Sequence, residues 1–180
     1  MPPSLPGRLA SLARPPLLIT LASLLALFYL VLFPGMIAAS PALQQTGLLD
    51  MRISYTPAHA YQALEAYGPA GRAQYVRTTA LLDFAFPVVY ALLLGLVTAR
   101  GLARAFPGTQ RIHWLVLLPC AALIFDWLEN GSILALLFSY PQQLKGLAAA
   151  AGGFTLLKWI SFALSVLIAA GSLLAARLHR

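Results

Sequence analysis

The sequence predicts an all-α polytopic membrane protein. It reads as an up-and-down bundle of four transmembrane helices, residues 1–180 in one domain, with a short amphipathic helix in the first extracytoplasmic loop. Three observations predict this. Of 180 residues, 60% are hydrophobic and only 9% are charged, against about 25% charged in soluble domains. The deficit of charge extends over most of the length. Four apolar runs, about 17–40, 78–103, 113–138 and 154–177, are each long enough to cross roughly 30 Å of hydrocarbon as a helix. Short connections between such runs favour antiparallel neighbours.

Arg8 and Arg14 precede the first run in the manner of a signal peptide. Leu17 to Ala39 is too long for an h-region of about 7–15 residues, and the best cleavage position falls before Pro41. An uncleaved first helix is expected. Between the first and second runs, Thr56-Pro57 looks like an N-cap followed by proline at the first helical position. That helix would run about 57–67 and stop at Gly68, a C-cap glycine. Pro69 then restarts a helix that can feed directly into the second run. Tyr55, Tyr61, Tyr67 and Tyr75 stud this loop and suit the headgroup level, ring in the apolar layer and hydroxyl wet. Two readings follow for the loop helix: lying flat on the outer leaflet, or forming a lid over the bundle mouth.

The basic residues set the orientation. Arg8, Arg14, Arg100, Arg104, Arg111, Arg177 and Arg180 fall on one side; Arg52, Arg72, Arg77, Lys145 and Lys158 fall on the other. Both termini are therefore expected in the cytoplasm, in a bacterial inner membrane. The net charge of +7 does not indicate nucleic acid, because the basic residues are scattered at the ends of apolar runs. Cys120 is the single cysteine. Intrachain disulfides and cysteine metal clusters are thereby excluded, and a buried small hydrophobe is its expected role.

The chain has five acidic residues, and Asp83, Asp126 and Glu129 all lie inside apolar runs. A charge at bilayer depth costs roughly 2.5–3.5 kcal/mol on insertion scales, so such groups normally face a bundle interior. Pro87 cannot donate to the carbonyl four residues back, which is that of Asp83. Tyr90 lies on the same face, giving a stripe of acid, freed carbonyl and phenol. In the third run Asp126, Glu129 and Asn130 share one helical face. Two carboxylates so close in a low dielectric would not both stay ionised unless a cation sat between them. Lys158, near the start of the fourth run, has two readings. It can snorkel to the interface beside Trp159, or turn inward to pair with Asp83 or Glu129 and leave Asp126 free for a ligand. His59, on the loop helix, could reach over the pocket. Glu-x-x-His and His-x-x-x-His patterns are absent, and no metal or cofactor is expected.

The four-span layout, the long outer loop and the Asp83–Pro87 segment resemble the sterol-isomerase and sigma-2-receptor superfamily. That resemblance implies membrane-embedded acids that meet a cationic amine or a carbocation-like sterol intermediate. It covers architecture and this segment only. The first run here has no acid, and no residue role is carried over.

The expected function is an intramembrane acidic pocket, open toward the outer face, that binds a lipid-like or amine-bearing small molecule. Its ligand-binding candidates are Asp83, Asp126, Glu129, Asn130, Tyr90, Lys158 and His59. The residues leave catalysis open. Two alternatives stand beside this reading: a structural or assembly subunit whose buried charges fix helix packing, and a small transporter or membrane-embedded lipid isomerase. Expected partners are membrane lipids, a small lipophilic or cationic ligand, and a second copy or partner membrane subunit; nucleic acid is not among them.

Overall fold

The computed structural model describes residues 5–107 and 112–178; Arg111 and Arg180 of the charge pattern lie outside them. Helices dominate, and the described residues contain no strand. Helix α1 covers Leu5–Leu12. The first long helix starts on a Pro15-Pro16 pair, positions where a missing N–H costs nothing. It consists of α2 (Pro15–Leu27), a π turn (Phe28–Leu32) and α3 (Phe33–Ala38). The connection carries α4 (Pro41–Thr46) and α5 (Pro57–Ala66). The second long helix joins α6 (Gly68–Thr78), a second π turn (Thr79–Asp83) and α7 (Phe86–Ala105). A 3-10 turn (His113–Leu117) leads into α8 (Leu118–Ser139), and α9 (Lys145–Leu178) ends the described chain. Four of these runs are long and apolar enough to cross a membrane: Pro15–Ala38, Gly68–Ala105, Trp114–Ser139 and Lys145–Leu178.

Local chemistry explains most boundaries. Ser40 Oγ accepts from the Leu43 N–H and caps α4. Thr56 Oγ1 accepts from the His59 N–H at 3.3 Å and caps α5. Gly68, at φ +60°, makes the left-handed turn between α5 and α6. The cap, the glycine stop and the direct feed into the second long helix agree with the sequence reading. The fourth long helix starts well before the expected position 154. Its first turns hold the run Ala148–Ala151, strong helix formers, while Gly152-Gly153 reads as a break. Gly152 is there for a close contact: a Cβ on it would stand 2.0 Å from the Tyr55 carbonyl oxygen. Ser54 Oγ donates to the Gly152 carbonyl at 2.9 Å and seals the same contact.

Helices α7, α8 and α9 pack on one another, and α1 and α2 pack on α7. The largest apolar cluster is at the end of the bundle that carries residues 39–67, termed the loop end below. There Leu43, Leu49, Tyr55, Leu64, Tyr67 and Tyr75 pack against Ile133 and Leu136 of α8 and Ala148 and Ala151 of α9. Helix α5 buries Ala60, Tyr61, Ala63 and Leu64 in this cluster, so it packs onto this end of the bundle. The tyrosines are core residues rather than wet anchors. Tyr67 Oη donates to the Gly47 carbonyl at 2.7 Å, and Tyr61 Oη accepts the Leu144 N–H at 2.5 Å. Burial pushes the Tyr55 and Tyr67 phenols above their usual range. Cys120 is exposed on α8, not buried as expected.

The Gly152 contact yields a first prediction. Gly152→Ala drives a methyl group into backbone, which cannot swing aside as a side chain can. It should destabilise by about 1–3 kcal/mol, read as a lowered melting temperature in detergent, whereas Gly153→Ala, with open space around it, should be neutral or stabilising.

Candidate functional site

The site grows from a break in the second long helix. Pro87 removes the donor that would serve the Asp83 carbonyl, and the chain loosens into the π turn at Thr79–Asp83. Helix α8 repairs the break. Asn130 Nδ2 donates to the Asp83 carbonyl at 2.9 Å, and Trp127 Nε1 donates to the Phe84 carbonyl at 3.0 Å. These two donors are three residues apart on α8, so one helical face meets two consecutive carbonyls.

The same face of α8 holds the acids. Asn130 Nδ2 also donates to Asp126 Oδ1 at 2.9 Å, and Tyr90 Oη donates to Asp126 Oδ2 at 3.2 Å. Asp126 therefore has both oxygens engaged. Glu129 is fully buried. Thr155 Oγ1 donates to its Oε1 at 2.5 Å, and Lys158 Nζ pairs with its Oε2 at 2.5 Å. Lys158 thus turns inward rather than snorkelling. Its Nζ also donates to the Asp50 carbonyl at 3.0 Å.

Asp50 is the member that sequence reasoning missed. It counts as a loop charge by position, yet it is buried at the loop end. Tyr75 Oη donates to Asp50 Oδ1 at 2.5 Å and accepts the Leu49 and Asp50 N–H groups. Trp159 Nε1 donates to the Arg52 carbonyl at 2.8 Å and fastens the next residues. One signal could have flagged Asp50: it follows Leu48-Leu49 directly, a short apolar run in a loop rich in tyrosine.

These groups stand beside a cavity of about 780 Å³, within the range of roughly 300–1,000 Å³ for small-molecule sites. Asp50, Asp83, Tyr90, Asp126 and Lys158 line it, together with Trp159 and Phe162 of α9 and Phe86 of α7. The rest of the wall is apolar and comes mostly from the first long helix, Ala22 to Ile37. Aromatic rings form the floor: Tyr90 meets Phe86 and Phe162 edge-on, with centroids 5.6 and 5.1 Å apart. Leu48, Asp50 and Met51 wall the cavity at the loop end.

Asp83 has fewer partners than the other acids. Its side chain is buried and lines the cavity, and the one side chain that hydrogen-bonds it among the described residues is Thr79, on its own π turn. A buried carboxyl with so few donors is costly. Asp126, by contrast, has Tyr90 and Asn130 on its two oxygens. Glu129 and Asn130 do not line the cavity; they hold the wall behind it. His59 is exposed on α5 and does not line the cavity either, so the expected reach over the pocket is corrected. The nearby cover is the 48–51 segment, not the α5 helix. Among the described residues no group of three His, Cys, Asp or Glu side chains is placed to hold a metal ion.

Comparison of the chain with protein-family models, curated proteins and solved structures gives no match to any of them.

Proposed function

We propose that this chain is an integral membrane protein whose acidic cavity binds a lipid-like or amine-bearing small molecule. The observation that carries the proposal is the Asp83 carboxyl, buried in the wall of a mainly apolar cavity and hydrogen-bonded, among the described residues, by no side chain beyond Thr79 of its own π turn. An apolar chamber with a few convergent polar groups is the general form of a small-molecule site. Asp83 is the group assigned to meet the ligand. Tyr90 and Asp126 shape the polar end beside it. Glu129 and Lys158 act through packing: their ion pair supports the second reading, a clamp that fixes helix α9 on helix α8.

A ligand that binds only the folded protein raises its melting temperature in proportion to occupancy. Titrating a long-chain primary amine into the detergent-solubilised protein should raise the melting temperature of the parent. Asp83→Asn should fold and keep its own melting temperature to within a few degrees, and should lose most of that rise. If parent and variant respond equally, Asp83 is not the contact and the clamp reading gains.

The orientation is part of the same proposal: both termini cytoplasmic and the loop end outside, from the distribution of Arg and Lys. In a Cys120→Ser background, His59→Cys should react with an impermeant thiol reagent added outside, and Pro107→Cys only after the inner side is opened. The reverse pattern inverts the topology.

A further inference from the structure

The cavity is not equally closed on all sides. Its deep wall is buried: Asp83 is 4% exposed and Tyr90 2%. The residues that the first long helix contributes to the same cavity are open, with Tyr29 61% and Leu30 69% exposed. That helix packs on α7, and Trp159 and Phe162 of α9, which face the cavity from the other side, are only half-buried. The loop end is held more tightly. Leu48 and Asp50 are buried there, and Tyr75, Lys158 and Trp159 tie down residues 49–52, while Met51 is 54% exposed. The opening therefore runs along the side of the bundle, at the depth of the apolar helices. From Ala22 to Ile37 it extends roughly 22 Å at helical rise, most of the hydrocarbon thickness of about 30 Å.

The charge around the polar end restricts what fits. Asp50, Asp83 and Asp126 line the cavity, and Lys158, the cation that lines it, is already engaged by Glu129. A phosphate or carboxylate head would meet three carboxylates with no free cation to offset them. A hydroxyl or ammonium head would add a donor to the Asp83 carboxyl, which lines the cavity. The break at Phe28–Leu32, where Pro34 withholds its donor from the Leu30 carbonyl, is on the open side, and the break at Thr79–Asp83 is on the closed one.

We infer that the occupant of this cavity is a bilayer-dissolved amphiphile with a neutral or cationic hydrogen-bond-donating head, taken in sideways between the first and fourth long helices. Its chain lies along the Ala22–Pro34 face of the first helix, and its head reaches Asp83. Anionic-headed lipids and water-soluble amines are excluded. The inference rests on the proposed binding function and specifies its ligand class and its way in.

The test uses the full chain in lipid nanodiscs with a photoactivatable long-chain alcohol carrying a mid-chain diazirine. Labelled residues are mapped by peptide mass spectrometry, and the specific signal is the part that excess unlabelled competitor removes. Competable labelling is expected on the 22–34 and 159–162 segments. Unlabelled long-chain alcohol and long-chain amine should each reduce it at least tenfold more effectively than a fatty acid of equal length, and butylamine should leave it unchanged. A fatty acid that competes as well as the alcohol overturns the assignment of head chemistry. Butylamine competing as well as the long-chain amine overturns the sideways route while leaving the pocket itself standing. Absence of any competable labelling, together with no ligand-dependent melting shift, removes the binding function along with this inference.

Discussion

Lys158→Met is expected to lower stability by about 3–5 kcal/mol, the usual consequence of stranding one member of a buried ion pair. Glu129 is fully buried, and Lys158 is its cationic partner at 2.5 Å. The same substitution removes the donor to the Asp50 carbonyl, so the 48–51 segment should loosen as well. The double variant Lys158→Met with Glu129→Gln should recover a large part of the loss, because desolvating an intact pair offsets most of its attraction. Adding Asp83→Asn in place of Glu129→Gln should recover little. Thermal melts of the four proteins in one detergent decide it. A single Lys158→Met variant as stable as the parent would place the lysine at the interface and remove the clamp.

The second large effect is expected at Asn130. Asn130→Leu leaves the Asp83 carbonyl without its donor at the helix break and takes one hydrogen bond from Asp126. Each is a buried acceptor, and an orphaned buried acceptor costs about 1–3 kcal/mol. Polar bonds between helices in lipid average nearer 0.6 kcal/mol. Those averages are low because the unfolded chain in the membrane also finds partners; Asn130→Leu instead strands acceptors in the folded state. A loss of about 2 kcal/mol is expected. Trp127→Phe, which removes a single donor from a half-exposed position, should cost less, near 0.6 kcal/mol. Equal losses for the two would show that the break needs no repair by side chains.

The long helices and the acid pair on α8 were legible because bilayer physics leaves a strong mark on sequence: length, absence of charge, and spacing of the exceptions. The Thr56 cap, the Gly68 stop and the Pro87 break were legible for the same local reasons. What resisted was tertiary. Asp50 has the sequence appearance of a solvated loop charge, and only the Tyr75 and Lys158 contacts reveal its burial. Gly152 has the appearance of a helix breaker, and its role depends on the Tyr55 backbone lying against it. The loop tyrosines fit a headgroup belt by composition, but the loop folds back and uses them as core. Spacing placed Asp126 and Glu129 on one face, but it could not show that Tyr90 and Asn130 engage both oxygens of Asp126.

The three-way contact of Lys158 also bears on how the chain is made. Its partners, Glu129 and the Asp50 carbonyl, both precede it in the order of synthesis. The fourth helix leaves the ribosome after both of them, and a lysine within it opposes insertion by roughly 2.5–3.5 kcal/mol. When that helix emerges, the third helix and the folded loop can already present an anion and a carbonyl to receive the charge. Translated alone, the same helix would meet neither. Membrane integration of the 145–178 segment is therefore expected to depend on the earlier helices, with the first 140 residues serving as its insertion template.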